Sequence, residues 1–220
     1  MEFIDYADRE MLFLSLAHRV AAELGQSLRQ TGRASLSVPG GTTPGPFLEL
    51  LSAVELDWSQ VAVVLNDERQ VPPDHPRSNG ALLQARLLRG PAAAARVIAL
   101  HDGHATPIEA LAEALVPELP LTCLVTGMGE DMHVASLFPD APDLAAALAS
   151  NAPPLMEIRA PSAPEPRVTL TAPVLRGALH QHILILGPQK REALERAMTL
   201  KPDQAPIRTI LDTAIVHWAE

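Results

Sequence analysis

Residues 124–139 read LVTGMGEDMHVASLFP, and this segment is the most informative of the chain. It begins as an apolar run of the kind that forms β-strands. Gly127 and Gly129 follow, and two glycines spaced by one residue allow the backbone to turn sharply and to approach a ligand closely. Asp131 and His133 come next, so a turn here can present an imidazole and a neighbouring acid on one rim, as a general base requires. The segment therefore predicts a catalytic loop at the end of a strand.

Other apolar runs lie on both sides of this segment in the sequence, and helical patterns separate them. The predicted strands of this kind cover residues 34–38, 61–65, 97–100, 121–125, 182–186 and 214–218. Runs that are apolar at every position are typical of parallel strands covered on both faces. At 220 residues the chain can bury one substantial core. We therefore predict an α/β fold, with residues 1–220 forming a single domain around an open, mostly parallel sheet flanked by helices on both faces.

Capping residues and apolar spacing predict the helices. Asp8 can cap a helix whose apolar positions within residues 12–28 recur every four residues, and which ends near Gly32. Further helices are predicted over residues 46–51, 79–88, 108–116, 143–148, 190–198 and 206–211. Residues 156–159 and 168–171 alternate in polarity as strands do.

The strand predicted at residues 34–38 leads into a loop made of Gly40, Gly41, Thr42 and Thr43. A proline-led helix follows, so free N–H groups and the positive end of the helix dipole point at this loop. Such an arrangement binds phosphate, although Gly-Gly and Thr-Pro also make ordinary turns. No Gly-Lys-Ser/Thr follows, and the loop is therefore not a P-loop.

In an open parallel sheet, ligands bind beyond the carboxyl ends of the strands. The predicted loops that share this edge follow residues 38, 65, 125 and 186. Asp67 and Arg69 lie in the second of these loops. They are either part of a ligand site or a solvated charged corner. Arg167 precedes a predicted strand and Lys190 opens a helix, and each alone would be read as a surface charge. Together with the Gly-Gly-Thr-Thr loop they supply the cations and N–H groups that a sugar phosphate requires.

Composition excludes several partners. The formal net charge is −9, whereas nucleic acids and anionic membranes bind basic faces, so neither is expected as a partner. Arginine must supply most of any positive pocket, because Lys190 and Lys201 are the only lysines. The start of the chain lacks a signal-peptide pattern and no apolar run approaches about 18 residues, so we expect a cytoplasmic protein. Cys123 is the single cysteine, and we expect it to be a small buried hydrophobe.

Motifs for cofactors and metals are incomplete. Gly127 and Gly129 imitate a dinucleotide fingerprint, but Met132 stands where a third glycine would allow close helix packing. Residues 101–104 read His-Asp-Gly-His, without further ligands at a recognisable spacing, and we expect them to form an exposed polar loop. His182, at the start of a predicted strand, is expected to be structural. Neither a cofactor nor a metal is therefore expected.

Taken together, the motifs resemble those of the 6-phosphogluconolactonases, the lactone-hydrolysing enzymes of the pentose phosphate and Entner–Doudoroff routes. The matching segments are residues 39–44, 67–72 with 78–79, 127–139, 167–171 and 187–190. They span nearly the whole chain in the order of the family. The resemblance implies an α/β sheet with Rossmann-like winding, related to glucosamine-6-phosphate deaminase and ribose-5-phosphate isomerase, with no cofactor or metal.

The resemblance also implies roles for the candidate residues. His133 is the general base, and Arg69 assists at the sugar. In the mechanism that we expect from these roles, Asp131 or Glu130 orients the imidazole or raises its basicity. The residues implied or proposed to bind the phosphate and the rest of the substrate are Gly40, Gly41, Thr42, Thr43, Asp67, Arg167 and Lys190. The expected reaction is attack of water, activated by His133, on the C1 carbonyl of 6-phosphoglucono-1,5-lactone to give 6-phosphogluconate.

Two other functions stay open at this point. A glucosamine-6-phosphate deaminase has a glutamate five residues after the histidine for ring-opening acid chemistry, whereas this chain has Phe138, which cannot transfer a proton. A non-catalytic sugar-phosphate-binding regulator would keep the pocket, and its mark would be Met132, where the family usually has glycine. The backbone angle that glycine would adopt there is either unnecessary or strained. The sequence does not determine the oligomeric state, for which we expect a monomer or a weak homodimer.

Overall fold

The apolar runs of the sequence form strands, and most of the segments between them form helices. The computed structural model describes residues 1–101, Gly103 and residues 106–220. The strands in this part of the chain are β1 (Glu2–Asp5), β2 (Ala34–Val38), β3 (Val61–Leu65), β4 (Asp67–Arg69), β5 (Arg96–Ile98), β6 (Cys123–Thr126), β7 (Leu155–Ile158), β8 (Arg167–Leu170), β9 (His180–Leu186) and β10 (Ile215–Ala219). The α-helices there are α1 (Arg9–Thr31), α2 (Gly45–Ser52), α3 (Asn79–Arg86), α4 (Ile108–Leu115), α5 (Leu144–Leu148), α6 (Ala172–Gly177), α7 (Pro188–Ala197) and α8 (Arg208–Leu211). The predicted apolar strands are all confirmed, with bounds that differ by at most two residues.

Seven strands form the main sheet, in the order β1-β10-β9-β6-β2-β3-β5. Every neighbouring pair in it is parallel. The strands β2 and β3 are buried at every position, which requires cover on both faces of the sheet. The predicted open parallel α/β sheet is thereby confirmed.

The chain leaves the centre of this sheet in two directions. From β2 it proceeds to β3 and β5 on one side, whereas from β6 it proceeds to β9 and β10 on the other. The loops that follow β2 and β6 therefore diverge at the carboxyl edge and leave a crevice between them. A ligand site is expected where the strand order reverses in this way.

A second, antiparallel sheet has the order β4-β8-β7. Here β7 and β8 confirm the two segments of alternating polarity, but β4 is a strand where the sequence predicts a charged loop. Three consecutive charged residues carry no periodic apolar signal, and it is pairing with β8 that makes them a strand. The pairing sets Asp67 opposite Thr169 and Arg69 opposite Arg167. The strand β1 and the helix α6 are likewise missing from the predicted elements.

Helix α1 matches its prediction at both ends and on its buried face. Asp8 Oδ1 accepts the main-chain N–H of Met11 at 2.8 Å, and Gly32 ends the helix with φ of +75°. The apolar stripe that packs into the core is fully buried at Leu12, Leu16, Val20 and Leu24. Burial of each such side chain contributes about 1.5–3 kcal/mol. No helix in the described part of the chain, this one included, is long and apolar enough to cross a membrane.

A chain of buried and half-buried polar side chains connects α1 to β6, β9 and β10. Tyr6 Oη lies 2.9 Å from His217 Nδ1, and His217 Nε2 lies 3.1 Å from His182 Nδ1. His182 Nε2 lies 2.9 Å from Glu23 Oε2, which also accepts from Cys123 Sγ at 3.2 Å. Cys123 is fully buried, as predicted, but it also acts as a hydrogen-bond donor. His182 is fully buried as well.

The environment of this network determines its charge. Burial, together with the charges of His182 and Arg19, lowers the pKa of His217 to about 3. Burial raises the pKa of Glu23, but hydrogen bonds from His182 and Cys123 and the charge of His182 outweigh it, so that this pKa is lowered. At neutral pH the network therefore contains an ionised Glu23 and a neutral His217.

We predict that acid destabilises the protein through His217. The unfolded imidazole takes up a proton near its ordinary pKa of about 6.5, whereas the folded imidazole stays neutral down to about pH 3. The free energy of unfolding should therefore fall as the pH drops below about 6.5, by up to about 1.4 kcal/mol per pH unit for this one proton. Urea unfolding at a series of pH values measures the slope.

The variant His217→Gln isolates this contribution. It keeps a polar amide in the network but cannot take up the proton, so its pH slope should be shallower than that of the wild type by about one proton. His18→Gln, at an exposed position of α1, is the control and should leave the slope unchanged. An unaltered slope in folded His217→Gln would show that the proton is taken up elsewhere.

Candidate active site

Loops from the main sheet and residues of the second sheet enclose a cavity of about 330 Å³. It lies beyond the carboxyl ends of β2, β3, β6 and β9, at the edge where the sequence predicts a site. The predicted site residues that line it are Gly40, Gly41, Thr42, Thr43, Asp67, Arg69, His133, Arg167 and Lys190. Asp131 and Glu130 do not line it. The fold thus brings most of the predicted residues to one cavity.

The loop between β2 and α2 forms one wall of the cavity. Gly41 has φ of +84°, a conformation that glycine adopts without strain. The N–H groups of residues 40–43 donate no hydrogen bond within the described part of the chain. Helix α2 begins at Gly45, and its positive end adds to the field of these donors. The loop therefore presents unused donors to an anion.

Lys190 reaches the cavity from the first turn of α7. Its Nζ donates to the main-chain oxygen of Met128, after β6, at 2.7 Å. An ammonium group has three donors, so this bond leaves two for a ligand. One side chain thus connects α7 to the loop that carries His133 and adds positive charge to the cavity.

The imidazole of His133 is paired with one of the two acids that precede it. Asp131 Oδ1 lies 2.6 Å from His133 Nδ1 and 3.3 Å from the His133 main-chain nitrogen. Glu130 is exposed, and its described hydrogen bond is accepted by its main-chain oxygen, from Arg196. The structure therefore places Asp131 rather than Glu130 against the imidazole, a choice that the sequence leaves open.

This pairing defines the state of both partners. Burial raises the pKa of Asp131, but the hydrogen bonds and charge of His133 outweigh it, so that the pKa is lowered. An ionised carboxylate can only accept, so Nδ1 of the neutral imidazole carries the hydrogen and Nε2 carries the lone pair. Nε2 of His133 is therefore the nitrogen that can act as a base.

Gly129 and Phe138 both pack against this pair. The Phe138 ring lies 4.6 Å from the imidazole, centroid to centroid, and 5.8 Å from the guanidinium carbon of Arg167. A Cβ at position 129 would lie 2.1 Å from both Asp131 Oδ1 and His133 Nδ1. Glycine is required at this position because the two side chains occupy the space that any larger residue would need.

Met132 and Ala135 are the strained residues of the loop. Their φ angles are +66° and +51°, in the left-handed region that costs a non-glycine residue about 1–2 kcal/mol. Two main-chain hydrogen bonds maintain the turn, from Met132 N to Gly129 O and from Gly129 N to His133 O, each at 3.0 Å. The sequence left two alternatives for Met132: that the glycine-like angle is unnecessary, or that it is strained. The structure shows that it is strained.

Two arginines of the second sheet face each other beside the cavity. Arg69 on β4 lies directly opposite Arg167 on β8, an arrangement that is unfavourable for like charges. Burial lowers the pKa of Arg167, with the charge of Arg69 acting in the same direction. The Nε atoms of both are buried without a hydrogen-bond partner among the described residues. This excess of unused positive donors favours an anionic ligand.

Two residues next to Asp67 have different roles: Glu68 binds the start of α3, whereas Asn79 lines the cavity. The Glu68 carboxylate turns away and accepts the N–H groups of Asn79 at 2.8 Å and Gly80 at 2.6 Å, at the start of α3. Asn79 lines the cavity, and its Nδ2 donates to the Asp67 main-chain oxygen at 2.9 Å. A Cβ on Gly40 would lie 2.0 Å from the Asn79 amide. The sequence makes Asn79 a candidate helix cap beside Ser78, and the structure has Ser78 as the cap. The sequence predicts no place for Asn79 in the ligand site, although the residue belongs to the motif at residues 78–79.

No group of three or more His, Cys, Asp or Glu side chains that could hold a metal ion occurs among the residues that the structure describes. Of the predicted polar loop at residues 101–104, Asp102 and His104 lie outside those residues. The cavity itself is lined by N–H, guanidinium and ammonium donors, which bind anions.

Comparison with known proteins agrees with this geometry. A family model described as "Glucosamine-6-phosphate isomerases/6-phosphogluconolactonase" matches residues 7–218. The chain belongs to this family. A 6-phosphogluconolactonase of Mesorhizobium japonicum is 42% identical, over 97% of this chain and 93% of that protein. Another, of Pseudomonas aeruginosa, is 42% identical over 92% of this chain and 88% of that protein.

A solved structure extends the similarity to the fold. The crystal structure of a 6-phosphogluconolactonase from Shewanella baltica matches with a TM-score of 0.96 and 30% identity, covering 100% of this chain and 98% of that one. The family description names two activities, so membership alone does not choose between them. Phe138 bears on the choice between lactonase and deaminase, because its apolar ring lies beside the His133 imidazole and cannot transfer a proton.

We predict that Gly129→Ala disrupts the contact between Asp131 and His133. The new methyl group would lie 2.1 Å from atoms of both side chains, and overpacking of this kind costs about 1–3 kcal/mol. The free energy of unfolding should fall by that amount, and the NMR signals of the His133 imidazole should shift. Gly177→Ala, whose methyl group would meet nothing within 4 Å, is the control and should do neither. Wild-type imidazole signals in folded Gly129→Ala would contradict the prediction.

Proposed function

We propose that this protein hydrolyses 6-phosphoglucono-1,5-lactone to 6-phosphogluconate. The observation that carries the proposal is a single cavity that contains a histidine paired with a carboxylate and, along the same lining, the donors that a phosphate requires. The relatives that are 42% identical to the chain are 6-phosphogluconolactonases, which supports the same assignment.

The phosphate binds where N–H donors and cations converge. Residues 40–43 offer unused N–H groups, and Lys190 and Arg167 add positive charge on the same cavity. Local cations are required because the net charge of −9 would otherwise repel a phosphorylated substrate. With its phosphate held there, the substrate extends its lactone ring towards His133, which lines the same cavity.

His133 Nε2 takes a proton from a water molecule while the water oxygen attacks C1 of the lactone. Asp131 stabilises the imidazolium that forms, because it already accepts the Nδ1 hydrogen at 2.6 Å. The carbonyl oxygen becomes an oxyanion, and Arg69 on the cavity wall stabilises that charge. The bond between C1 and the ring oxygen then breaks, and His133 returns the proton to the ring oxygen.

We predict that His133→Ala removes most of the catalysed hydrolysis. Loss of a general base lowers kcat by a factor of about 10²–10⁴, while the phosphate donors and hence substrate binding stay in place. The measurement is lactone hydrolysis by purified protein, corrected for spontaneous hydrolysis. His18→Ala, which removes an exposed imidazole outside the cavity, should keep the wild-type rate. A folded His133→Ala variant with wild-type kcat would refute the assignment of the base.

We predict that Lys190→Met weakens substrate binding with little effect on kcat. The change keeps the apolar stem but removes the ammonium, and a hydrogen bond to a charged group contributes about 1.5–3 kcal/mol, or roughly 10-fold to 100-fold in KM. The other lysine of the chain provides the matched control, because Lys201 is exposed and outside the cavity. Steady-state kinetics of Lys190→Met and Lys201→Met should therefore differ in KM, and equal KM values would argue against a role for Lys190.

A deaminase activity is the rival within the family description. Ring opening of an amino sugar requires an acid that can transfer a proton. Phe138 is buried against His133 and has no ionisable group. This observation favours the lactonase. The lactone assay also distinguishes a non-catalytic regulator, which would bind 6-phosphogluconate without accelerating hydrolysis.

Four further expectations accompany this proposal. We propose that residues 1–220 form a single domain, because the family model spans residues 7–218 and the buried apolar side chains of both sheets belong to one cluster. A cytoplasmic location and a monomeric or weakly dimeric state stay predictions from the sequence. Because the proposed substrate and product belong to the pentose phosphate and Entner–Doudoroff routes, we expect the enzyme to act in one of them.

A further inference from the structure

Ser136 connects the loop of His133 to the second sheet. It is fully buried and lies between His133 and Phe138 in the sequence. Its main-chain N–H donates to Thr169 Oγ1 at 3.1 Å, and its hydroxyl donates to Asp67 Oδ2 at 2.5 Å. Neither the sequence motifs nor the reaction proposed above assigns a role to this hydroxyl.

The neighbouring ion pair is unusually open. Arg167 Nη1 lies 3.6 Å from Asp67 Oδ2, beyond hydrogen-bond distance, although both residues are buried. A carboxylate and a guanidinium this close normally form a hydrogen-bonded, often bidentate, pair. The Arg167 side chain makes no hydrogen bond within the described part of the chain, and its Nε is buried without a partner.

Other donors already occupy Asp67. Oδ2 accepts the short bond from Ser136, and Asn79 Nδ2 lies 3.5 Å from Oδ1 and 2.9 Å from the main-chain oxygen. The Ser136 bond is the shortest of these, and it is made to the oxygen that faces Arg167. The carboxylate is therefore held by neutral groups at a distance from the guanidinium.

We propose that Ser136 is a positioning residue that keeps Asp67 from closing onto Arg167. The hydroxyl satisfies the carboxylate, so the guanidinium donors stay available to an anion in the cavity. The anion is the substrate phosphate, and this identification rests on the proposed function. Asp67 still lowers the cost of burying Arg167, because its charge raises the pKa of the guanidinium against the effect of burial.

Removing the hydroxyl has a specific consequence. In Ser136→Ala, Arg167 Nη1, which lies 3.6 Å from Asp67 Oδ2, can close onto that oxygen, and the two side chains form a direct pair. The Nη1 donor of Arg167 is then occupied, and an anion must break that pair to use it. His133 keeps its position, because Asp131, Gly129 and Phe138 hold it independently of Asp67.

The test compares anion binding with turnover. Titration of inorganic phosphate and of 6-phosphogluconate into Ser136→Ala should give dissociation constants about tenfold higher than for the wild type, a difference of about 1.4 kcal/mol. KM for the lactone should rise by a similar factor, with kcat within about twofold of the wild type. A general loosening of the loop would instead lower kcat, because His133 is three residues away in the sequence.

The variant Asp67→Asn provides a second, independent readout. A neutral amide cannot form the ion pair with Arg167, so Ser136→Ala should have little further effect on phosphate binding in this background. Ser136→Cys, with a weaker donor of similar size, should give an intermediate affinity and replaces Ser136→Ala if that variant does not fold.

Three results would overturn the proposal: unchanged phosphate affinity in Ser136→Ala, a loss confined to kcat, or an equal loss of affinity in the Asp67→Asn background. Failure of the proposed function is distinguishable from these. If the wild type does not accelerate lactone hydrolysis, the substrate assignment fails, whereas titration with inorganic phosphate still decides the role of Ser136.

Discussion

Main-chain pairing between β2 and β6 is the constraint on which the rest of this structure depends. These strands lie side by side at the centre of the sheet, and the chain moves away from them in opposite directions. Their following loops, which carry the Gly-Gly-Thr-Thr turn and His133, are therefore separated by a crevice. Because every strand of this sheet is parallel, the ends of β3 and β9 contribute to the same cavity. The Gly-Gly-Thr-Thr loop and His133 meet there although they are about ninety residues apart in the sequence.

The second sheet supplies the charges that the main sheet lacks. The chain has a net charge of −9, and an anionic ligand needs positive groups at short range. Pairing of β4 with β8 provides them by setting Arg69 opposite Arg167. Like charges in this position are tolerated because Asp67 lies beside them. In our proposal, Ser136 holds that carboxylate back, so the guanidinium of Arg167 stays available to an anion. The antiparallel sheet is small, but it supplies both arginines of the cavity, and Lys190 from α7 adds a third positive charge.

The strained turn at His133 shows that the position of the imidazole is closely constrained. Gly129 is needed because the imidazole and the Asp131 carboxylate fill the space beside its Cα. Met132 accepts a positive φ where glycine would be relaxed, so the hydrogen bonds of the turn and the packing around it must offset about 1–2 kcal/mol. Strain of this size is retained where surrounding contacts over-determine a conformation. Here those contacts are the ones that orient His133.

The sequence by itself determined the parallel sheet, the cap of α1 at Asp8, the glycine turns and the position of His133, because each is encoded in residues that are adjacent or regularly spaced. It did not reveal β4, the choice of Asp131 over Glu130, or the link from Ser136 to Asp67. Ser136 and Asp67 are 69 residues apart, and no local pattern marks a contact over that distance. These features come from the tertiary structure. A hydrogen bond or an ion pair depends on how the fold places two side chains that are distant in the sequence, and the spacing of residues along one strand does not contain that information.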